Sequence, residues 1–256
     1  MKYFVFSDPH GNYEALLTTI ISIMGYDASN PQHQLVGCGD YFGRAVQSLS
    51  DCVNIWNYLI SPHHKNAPIC IRGNHESIIL DAIEREQLTT TDIYNGEHNT
   101  FASFLNVYPA QMQYDDDLQR DAAKELIKVG FYDWLKSLPW YFETKNCIFT
   151  HGFVPMSYFT RGVKLEDFKE GDWERASWCA TSDCIIALDE TKVRPKKTIV
   201  FGHWRAKDLN EKFAGKWEEH DGGIYVDANR NLIGLDTTTI LSGVVGHIIL
   251  VSEEDE

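Results

Sequence analysis

Five short apolar segments of this sequence are each followed, within a few residues, by side chains that can bind a metal ion. The segments are typical of buried strands and span residues 3–6, 34–38, 69–71, 147–149 and 198–201. The polar residues that follow them are Asp8, His10, Asp40, Asn74, His75, His151 and His203. Each is an ordinary turn or packing residue when taken alone. Because the same pattern recurs after five strands, we predict that these side chains share one site.

Helical spacing follows the first three of these strands. After Asn12, a good helix N-cap, apolar residues recur at helical intervals, and a second series follows the second strand. The two series are Tyr13, Leu16, Leu17, Ile20 and Met24, and Val46, Leu49, Val53, Trp56 and Ile60. A shorter helix is predicted over about residues 77–85. Three strand–helix units in succession predict an α/β fold with a mainly parallel sheet, whose carboxyl-end crevice is where ligands bind.

The pattern changes between about residues 86 and 143. Polar turns, an acidic run at 115–117 and helical spacing of Leu118, Ala122, Leu126 and Val129 predict a helical insert there. The later apolar segments at 223–226, 232–235 and 245–251, separated by Gly and Asn, predict antiparallel strands. With no convincing linker, we predict one domain over residues 1–256. The acidic residues 253–256 are interpreted as a solvated tail.

Charge and composition exclude some functions. The formal net charge of −14 argues against a surface that binds a nucleic-acid backbone, because such binding needs clustered Lys and Arg. A phosphate substrate would therefore need local positive charge from metals or placed arginines. The six cysteines are scattered, which favours a reduced cytoplasmic location. We expect no signal peptide and no membrane anchor, because the longest late apolar segment, residues 244–251, is far shorter than a bilayer span.

The types of candidate ligand indicate the chemistry. Carboxylate, amide oxygen and imidazole without thiolate suit catalytic Mn, Fe or Zn rather than structural zinc. Six such ligands are too many for one open site, whereas a carboxylate that bridges two ions would let a metal pair share them. A metal pair of this kind clamps phosphate oxygens and activates water, which predicts hydrolysis of a phosphate ester. The sequence contains no Gly-x-x-x-x-Gly-Lys loop, so an ATP-driven machine is not expected.

The same residues resemble the signature of a known family, the serine/threonine phosphoprotein phosphatase branch of the calcineurin-like metallophosphoesterases. The resemblance also covers Leu235-Asp236-Thr237 and Trp173-Glu174-Arg175, so it spans nearly the whole chain. Its main motifs, in order, are Asp8-Pro9-His10-Gly11, Gly39-Asp40-Tyr41-Phe42-Gly43-Arg44, Arg72-Gly73-Asn74-His75-Glu76, His151-Gly152 and Gly202-His203.

This resemblance implies a four-layer sandwich of two mixed β-sheets flanked by helices, with two divalent metal ions, Mn first and Fe or Zn as alternatives. It assigns the first metal to Asp8, His10 and Asp40. It assigns the second metal to Asp40, Asn74, His151 and His203. Water bridging the two ions would attack the phosphorus as hydroxide.

The resemblance also implies roles for residues outside the metal ligands. It assigns contacts with phosphate oxygens to Arg44 and Arg175, whose planar guanidinium groups suit bidentate phosphate binding. It implies that His75 is the general acid that protonates the leaving oxygen. Glu76 and Asp236 are interpreted as structural residues.

Two positions depart from the family pattern. Gly43 stands where many protein phosphatases have an Asp that orients the catalytic His, so nothing at that position can orient His75. Trp204 follows His203 where the family usually has Thr. Both changes resemble symmetrical diadenosine-tetraphosphate hydrolases of the same branch, and Trp204 could stack on a nucleobase or simply pack beside the site.

Three functions follow as hypotheses. The leading one is hydrolysis of phosphomonoesters, including phosphoserine and phosphothreonine. The second is symmetrical hydrolysis of dinucleoside polyphosphates. A third, of another class, is a noncatalytic protein-binding scaffold, which the complete set of ligand residues disfavours.

Overall fold

The protein is described here by a computed structural model that covers residues 1–44, 48–215 and 223–251. Nine strands lie within these ranges. In chain order they are β1 (Lys2–Ser7), β2 (His33–Gly37), β3 (Ile69–Cys70), β4 (Tyr141–Glu143), β5 (Cys147–Thr150), β6 (Thr198–Phe201), β7 (Tyr225–Asp227), β8 (Leu232–Gly234) and β9 (Gly246–Val251).

Thirteen α-helices connect these strands within the described ranges. They are α1 (Tyr13–Leu17), α2 (Asp51–Leu59), α3 (Asn74–Arg85), α4 (Thr90–Asn95), α5 (Glu97–Leu105), α6 (Pro109–Met112), α7 (Asp116–Lys128), α8 (Phe131–Ser137), α9 (Ser157–Arg161), α10 (Glu170–Ser177), α11 (Thr181–Thr191), α12 (Ala206–Leu209) and α13 (Thr239–Ser242). Residues Thr18–Ile23 and Asn210–Ala214 are π-helical continuations of α1 and α12, and Leu165–Asp167 is a 3₁₀ turn.

The strands form two mixed sheets. The first sheet has the order β3-β2-β1-β9, with β1, β2 and β3 parallel and β9 antiparallel to β1. The second sheet has the order β4-β5-β6-β8-β7, in which β5, β6 and β8 are parallel and the two edge strands are antiparallel to their neighbours. The predicted α/β class with two mixed sheets is confirmed, because the parallel strands alternate with helices as the sequence pattern indicated.

The two sheets pack face to face between helices. Because side chains alternate along a strand, Val5 of β1 points toward the second sheet while Phe4 and Phe6 pack against helices. The layer between the sheets is a buried cluster of Val5, Val36, Cys38, Ile71, Phe149, Val200, Ile233 and Leu235. Separate apolar clusters lie under the helices on each outer face. The chain therefore forms four layers, with helices outside and sheets inside.

The long segment after α3 is mainly helical. Helices α4 to α8 occupy residues 90–137, and α7 includes the predicted apolar positions Leu118, Ala122 and Leu126. The predicted end of the insert at residue 143 is wrong. Tyr141–Glu143 forms β4, which pairs antiparallel with β5, because a short turn at 144–146 brings the two segments together.

A few predicted features lie outside the described residues or on different bounds. Val46, placed on the second helix by its spacing, and the acidic residues 253–256 lie outside the described ranges. The helix predicted over 77–85 begins earlier, at Asn74, because Gly73 provides the extended N-cap conformation. Among the described residues, no helix is both long enough and apolar enough to cross a bilayer.

Candidate active site

The predicted ligands lie just beyond the carboxyl ends of parallel strands in both sheets. Asp8 follows β1 directly, and Asp40 lies three residues after β2. Asn74 is the first residue of α3, which follows β3. In the second sheet His151 follows β5 directly, and His203 lies two residues after β6. Because the sheets pack face to face, these positions meet at one edge of the sandwich.

Asp40 lies at the centre of this cluster. Its Oδ1 is 3.2 Å from His151 Nε2, and its Oδ2 is 3.8 Å from the Nε2 atoms of both His10 and His75. Two sets of possible ligand atoms, each within 4.8 Å of one another, share this carboxylate: His10, Asp40 and His75, and Asp40, His151 and His203. A shared carboxylate between two ligand sets is the arrangement that a pair of metal ions needs.

Asp8 and Asn74 complete the cluster. The carboxylate of Asp8 accepts hydrogen bonds from the Ser7 hydroxyl and from the His203 backbone N–H, the latter at 3.1 Å. Its Oδ1 lies 3.9 Å from His10 Nε2. The side-chain oxygen of Asn74 lies 2.8 Å from His151 Nε2. The structure therefore brings together all six residues that the sequence proposed as metal ligands.

The backbone at this edge is strained in a way that glycine neighbours permit. Asp8, His10, Asp40 and His203 all have φ between 47° and 61°, a left-handed conformation that is uncommon outside Gly and that clusters at functional sites. A Cβ atom on Gly202 would collide with Ser7 Oγ and Asp8 Oδ2. The ligands can therefore approach closely because no side chain occupies this space.

Hydrogen bonds to neighbouring residues that are not candidate ligands orient the cluster. His151 Nδ1 donates to the Cys38 carbonyl at 2.7 Å, which turns Nε2 toward Asp40 and Asn74. Glu76 accepts from the backbone N–H groups of Asp40, Tyr41 and Gly73, each at 2.8 Å. Its structural interpretation is supported by these bonds, which tie the loop after β2 to the start of α3. Such outer contacts fix the geometry of metal ligands.

The electrostatics separate the histidines into two kinds. Burial and the neighbouring His151 lower the pKa of His203 to about 4, and burial and His75 lower the pKa of His10 well below its usual value. Both are therefore neutral near pH 7, which is the form that binds metals. Burial opposes protonation of His151, but the carboxylates of Asp40 and Asp8 outweigh it and raise its pKa to about 10.

These observations fit a divalent metal pair. The donor set consists of carboxylate, amide oxygen and imidazole, and the described cluster contains no thiolate. Burial raises the pKa of Asp8 well above its usual value, and repulsion from the nearby carboxylates of Asp236 and Asp40 raises it further. Cations bound between Asp8 and Asp40 would reduce this repulsion, so the residues suit Mn, Fe or Zn.

His75 lies beside the cluster with both ring nitrogens engaged. Its Nδ1 is 2.5 Å from Oε1 of Glu97, the first residue of α5, and its Nε2 is 3.4 Å from Arg44 Nε. Burial alone would lower the pKa of His75, but the carboxylates of Asp40 and Glu97 raise it to about 9. The side chain can therefore carry a proton at neutral pH, as a general acid must.

A cleft of about 490 Å³ opens above the cluster. Its floor includes His10 and His203, and Arg44 lies on one side. The other residues that line it are Trp204, Arg205, Asp208, Asp236, Thr238, Ile240 and Leu241. A guanidinium group and a candidate metal site that lie beside the same cleft are suited to binding an anion.

Arg175 does not line this cleft. Its side chain is 77% exposed, pairs with Asp172 on the same helical turn of α10, and borders a different cavity near Met156 and Cys179. The structure thus separates the two arginines that the sequence grouped as phosphate contacts. The difference follows from the position of α10, which borders that other cavity, where Arg175 pairs with Asp172 at the helix surface.

Glu97 is a site residue that the sequence did not reveal. It lies within the helical segment after α3, where no motif was legible, 22 positions from His75. The only signal was indirect. Because Gly43 has no side chain, an acid that pairs with His75 has to come from another part of the chain. The sequence contained nothing to indicate which acid that is.

Comparisons with known proteins agree with this geometry. Residues 1–205 match the family model described as calcineurin-like phosphoesterase. The chain matches no curated protein sequence significantly.

Solved structures with the same fold include three phosphatases of different named specificity. A protein serine/threonine phosphatase from Saccharomyces cerevisiae shares 16% identity, with 100% of this chain and 82% of that chain covered and a TM-score of 0.53. A cold-active protein tyrosine phosphatase of a psychrophilic Shewanella species also shares 16% identity, with 97% and 75% covered and a TM-score of 0.53. A proposed diadenosine tetraphosphatase shares 14% identity, with 98% and 94% covered and a TM-score of 0.51. At these identities the likeness extends to the fold alone.

Proposed function

This chain belongs to the calcineurin-like phosphoesterase family, and from that premise we propose that it is a dinuclear metal-dependent phosphatase that hydrolyses phosphomonoesters, including phosphoserine and phosphothreonine. The observation that carries the proposal is the position of Asp40. Its Oδ2 lies 3.8 Å from His10 Nε2 and its Oδ1 lies 3.2 Å from His151 Nε2, so one carboxylate contacts a member of each proposed ligand group beside the cleft that His10, His203 and Arg44 line.

The metal ligands in this proposal are Asp8, His10 and Asp40 for one ion, and Asp40, Asn74, His151 and His203 for the other. When bound, the two ions would supply a nucleophilic water at neutral pH and neutralise charge on the phosphate. The compact packing of the ligands favours this assignment, as does the neutral state of His10 and His203.

Two side chains would act on the substrate directly. The guanidinium group of Arg44 faces the cleft and would bind phosphate oxygens, because its planar donors match an oxyanion. His75 would donate a proton from Nε2 to the leaving oxygen, which requires the Arg44 Nε–H that donates to this nitrogen at 3.4 Å to turn toward the phosphate. Arg175 is not part of the proposed machinery, because its side chain lies at a different cavity.

The test is hydrolysis of p-nitrophenyl phosphate and phosphopeptides by metal-free protein loaded with Mn²⁺. We expect about two Mn²⁺ per chain and turnover that depends on them. Asp40→Asn should remove both metal and activity. The matched control is Asp189→Asn, which changes an acid that pairs with Arg230 away from the cleft. Activity that survives Asp40→Asn would contradict the proposal. Less than one metal per chain with no gain on adding Mn²⁺ would instead favour the scaffold hypothesis.

One observation favours a second candidate function. Trp204 lines the same cleft as Arg44 and His203. Base stacking on an aromatic ring would suit a dinucleoside polyphosphate. Release of two ADP from diadenosine tetraphosphate at a rate well above phosphate release from phosphopeptides would favour this candidate.

A further inference from the structure

The structure provides a partner for His75 that comes from outside the family motifs. Glu97, at the start of α5, places Oε1 2.5 Å from His75 Nδ1. We propose that Glu97 is the positioning residue of the general acid. From its place on α5 it orients His75, which Gly43 cannot do because it has no side chain. This inference rests on the proposed function, and it concerns a residue that acts through His75 rather than on the substrate.

The space around Gly43 supports the proposal. A Cβ atom on Gly43 would lie 2.7 Å from His75 Nδ1, 3.0 Å from Glu97 Oε2 and 3.1 Å from Glu97 Oε1. The carboxylate of Glu97 thus occupies the volume that a side chain at position 43 would need. Gly43 also has φ +79°, which favours glycine. The absence of a side chain at 43 and the presence of an acid at 97 are therefore two parts of one arrangement.

The start of α5 is attached firmly to the loop that carries Arg44. The Arg44 backbone N–H donates to the Asn95 carbonyl at 3.1 Å, and the Arg44 carbonyl accepts from Asn99 Nδ2 at 2.6 Å. One residue earlier, the Gly43 N–H donates to Thr100 Oγ1 at 3.2 Å. These three bonds on either side of Glu97 fix its position, so its carboxylate is held against His75.

The environment of Glu97 suits a positioning role. The residue is fully buried and lies in the first turn of a helix, where the helix dipole favours negative charge. Among the described residues its Oε2 has no hydrogen-bond partner, so the bond to His75 is the polar contact that accounts for its burial. With Nδ1 engaged by Glu97, Nε2 lies 3.4 Å from Nε of Arg44, a residue that lines the cleft. A third group that orients a catalytic His in this way is a recurring device in enzymes.

Leaving-group dependence distinguishes positioning of an acid from a structural role. An alkyl phosphate such as a phosphoserine peptide needs a proton on its leaving oxygen, whereas p-nitrophenolate leaves without one. In Glu97→Gln, loaded with Mn²⁺, we expect kcat for the phosphoserine peptide to fall about 100-fold, with KM unchanged, because general acid catalysis contributes at least this factor. The kcat for p-nitrophenyl phosphate should fall about threefold or less, because its leaving group needs no proton and only the position of His75 changes.

The matched control is Asp92→Asn. Asp92 is another buried acid of the same helical segment, but it pairs with Arg85 and caps α4 without contacting His75. We expect Asp92→Asn to lower stability without changing the ratio of the kcat values for the two substrates. Glu97→Ala, which removes the carboxylate altogether, should show the same selective loss as Glu97→Gln. An equal fall for both substrates in the Glu97 variants, or the same selectivity in Asp92→Asn, would overturn the proposal.

A second measurement needs neither metal nor turnover. In the metal-free protein, the short bond to Glu97 should give His75 Nδ1–H a far-downfield proton resonance, assigned by its loss in His75→Asn. Its disappearance in Glu97→Gln supports the contact, and its persistence there would overturn it. A wild-type protein that hydrolyses neither substrate would refute the proposed function, while this resonance would still test the contact between Glu97 and His75.

Discussion

The floor and the rim of the cleft are built in different ways. Asp8, Asp40 and His151, which support the floor from the interior, are between 0% and 2% exposed and are hydrogen-bonded to one another or to residues at strand ends. The rim, formed by Trp204, Ile240 and Leu241, reaches 68% exposure at Leu241. The floor can therefore tolerate almost no change of volume, whereas the rim can vary. We propose that the chemistry resides in the first region and substrate choice in the second.

The most severe test of this contrast is Gly202→Ala. The added methyl group would collide with Ser7 Oγ and Asp8 Oδ2 at the floor. We expect unfolding free energy to fall by about 2–3 kcal/mol from overpacking. We also expect kcat/KM to fall about 1,000-fold, because the proposed metal pair would contribute several kcal/mol to catalysis and each 1.36 kcal/mol is tenfold.

Its control is Gly171→Ala, in α10. There the nearest atom to an added Cβ is 3.9 Å away, so we expect a gain of about 0.5–1 kcal/mol from helix propensity. Denaturant unfolding and metal analysis check both variants. Full metal content in Gly202→Ala would mean that the floor is less rigid than the contacts indicate.

The two arginines sharpen the contrast between the cleft and the rest of the surface. Arg44 faces the cleft, whereas Arg175 is exposed at another cavity. We expect Arg44→Ala to lower kcat/KM for p-nitrophenyl phosphate about 30-fold, since hydrogen bonds to a charged group contribute about 1.5–3 kcal/mol. Arg175→Ala should change kcat/KM by less than about twofold, because Arg175 lies outside the cleft and exposed ion pairs of this kind contribute little energy. A larger loss in Arg175→Ala would return that residue to the site.

The floor also predicts a pH dependence of metal binding. In the metal-free protein the raised pKa of His151, about 10, means that the imidazole is protonated at neutral pH. A metal ion must displace that proton from Nε2, so affinity rises with pH below 10. We expect Mn²⁺ affinity to rise up to about tenfold per pH unit between pH 6.5 and 8.5. Calorimetric titration in buffers of different ionisation enthalpy would measure the released proton, and an affinity independent of pH would refute the expectation.

The rim predicts a smaller effect that separates substrates. If Trp204 stacks on a base, Trp204→Leu should weaken competitive inhibition by ADP about fivefold, near the lower value for one stacked base. Turnover of p-nitrophenyl phosphate should change less than twofold. Trp178→Leu is the control, because Trp178 is also exposed near His203 but does not line the cleft. Equal inhibition of wild type and Trp204→Leu would assign the tryptophan to packing.

Local patterns were sufficient to predict much of the fold and the positions of the candidate ligands. Asp8 and His151 each follow a strand directly, so a strand pattern and a polar residue in sequence are enough to locate them. Tyr141–Glu143 was misassigned because its three residues become a strand only by pairing with β5. A segment that short has no periodicity of its own from which a strand could be recognised.

Glu97 illustrates what local patterns do not contain. Its role depends on how α5 lies against the loop of Gly43 and Arg44, and that contact is tertiary. An acid at the first position of a helix is common, because it is favoured by the helix dipole wherever it occurs. Nothing in the sequence of residues 95–99 distinguishes this buried acid from an acid at an exposed helix start.

The pairing of β9 with β1 has a consequence for how the site is made during synthesis. The strand that carries Asp8 at its end pairs early with β2, but its second neighbour is made only about 250 residues later, since Lys2 pairs with Val251. At a ribosomal rate of about 5–20 residues per second, that delay is on the order of ten to fifty seconds. Asp8 also depends on the backbone of His203, which is itself made late. We therefore expect a nascent chain to hold its first helices well before it can retain metal, so that metal loading is one of its last steps.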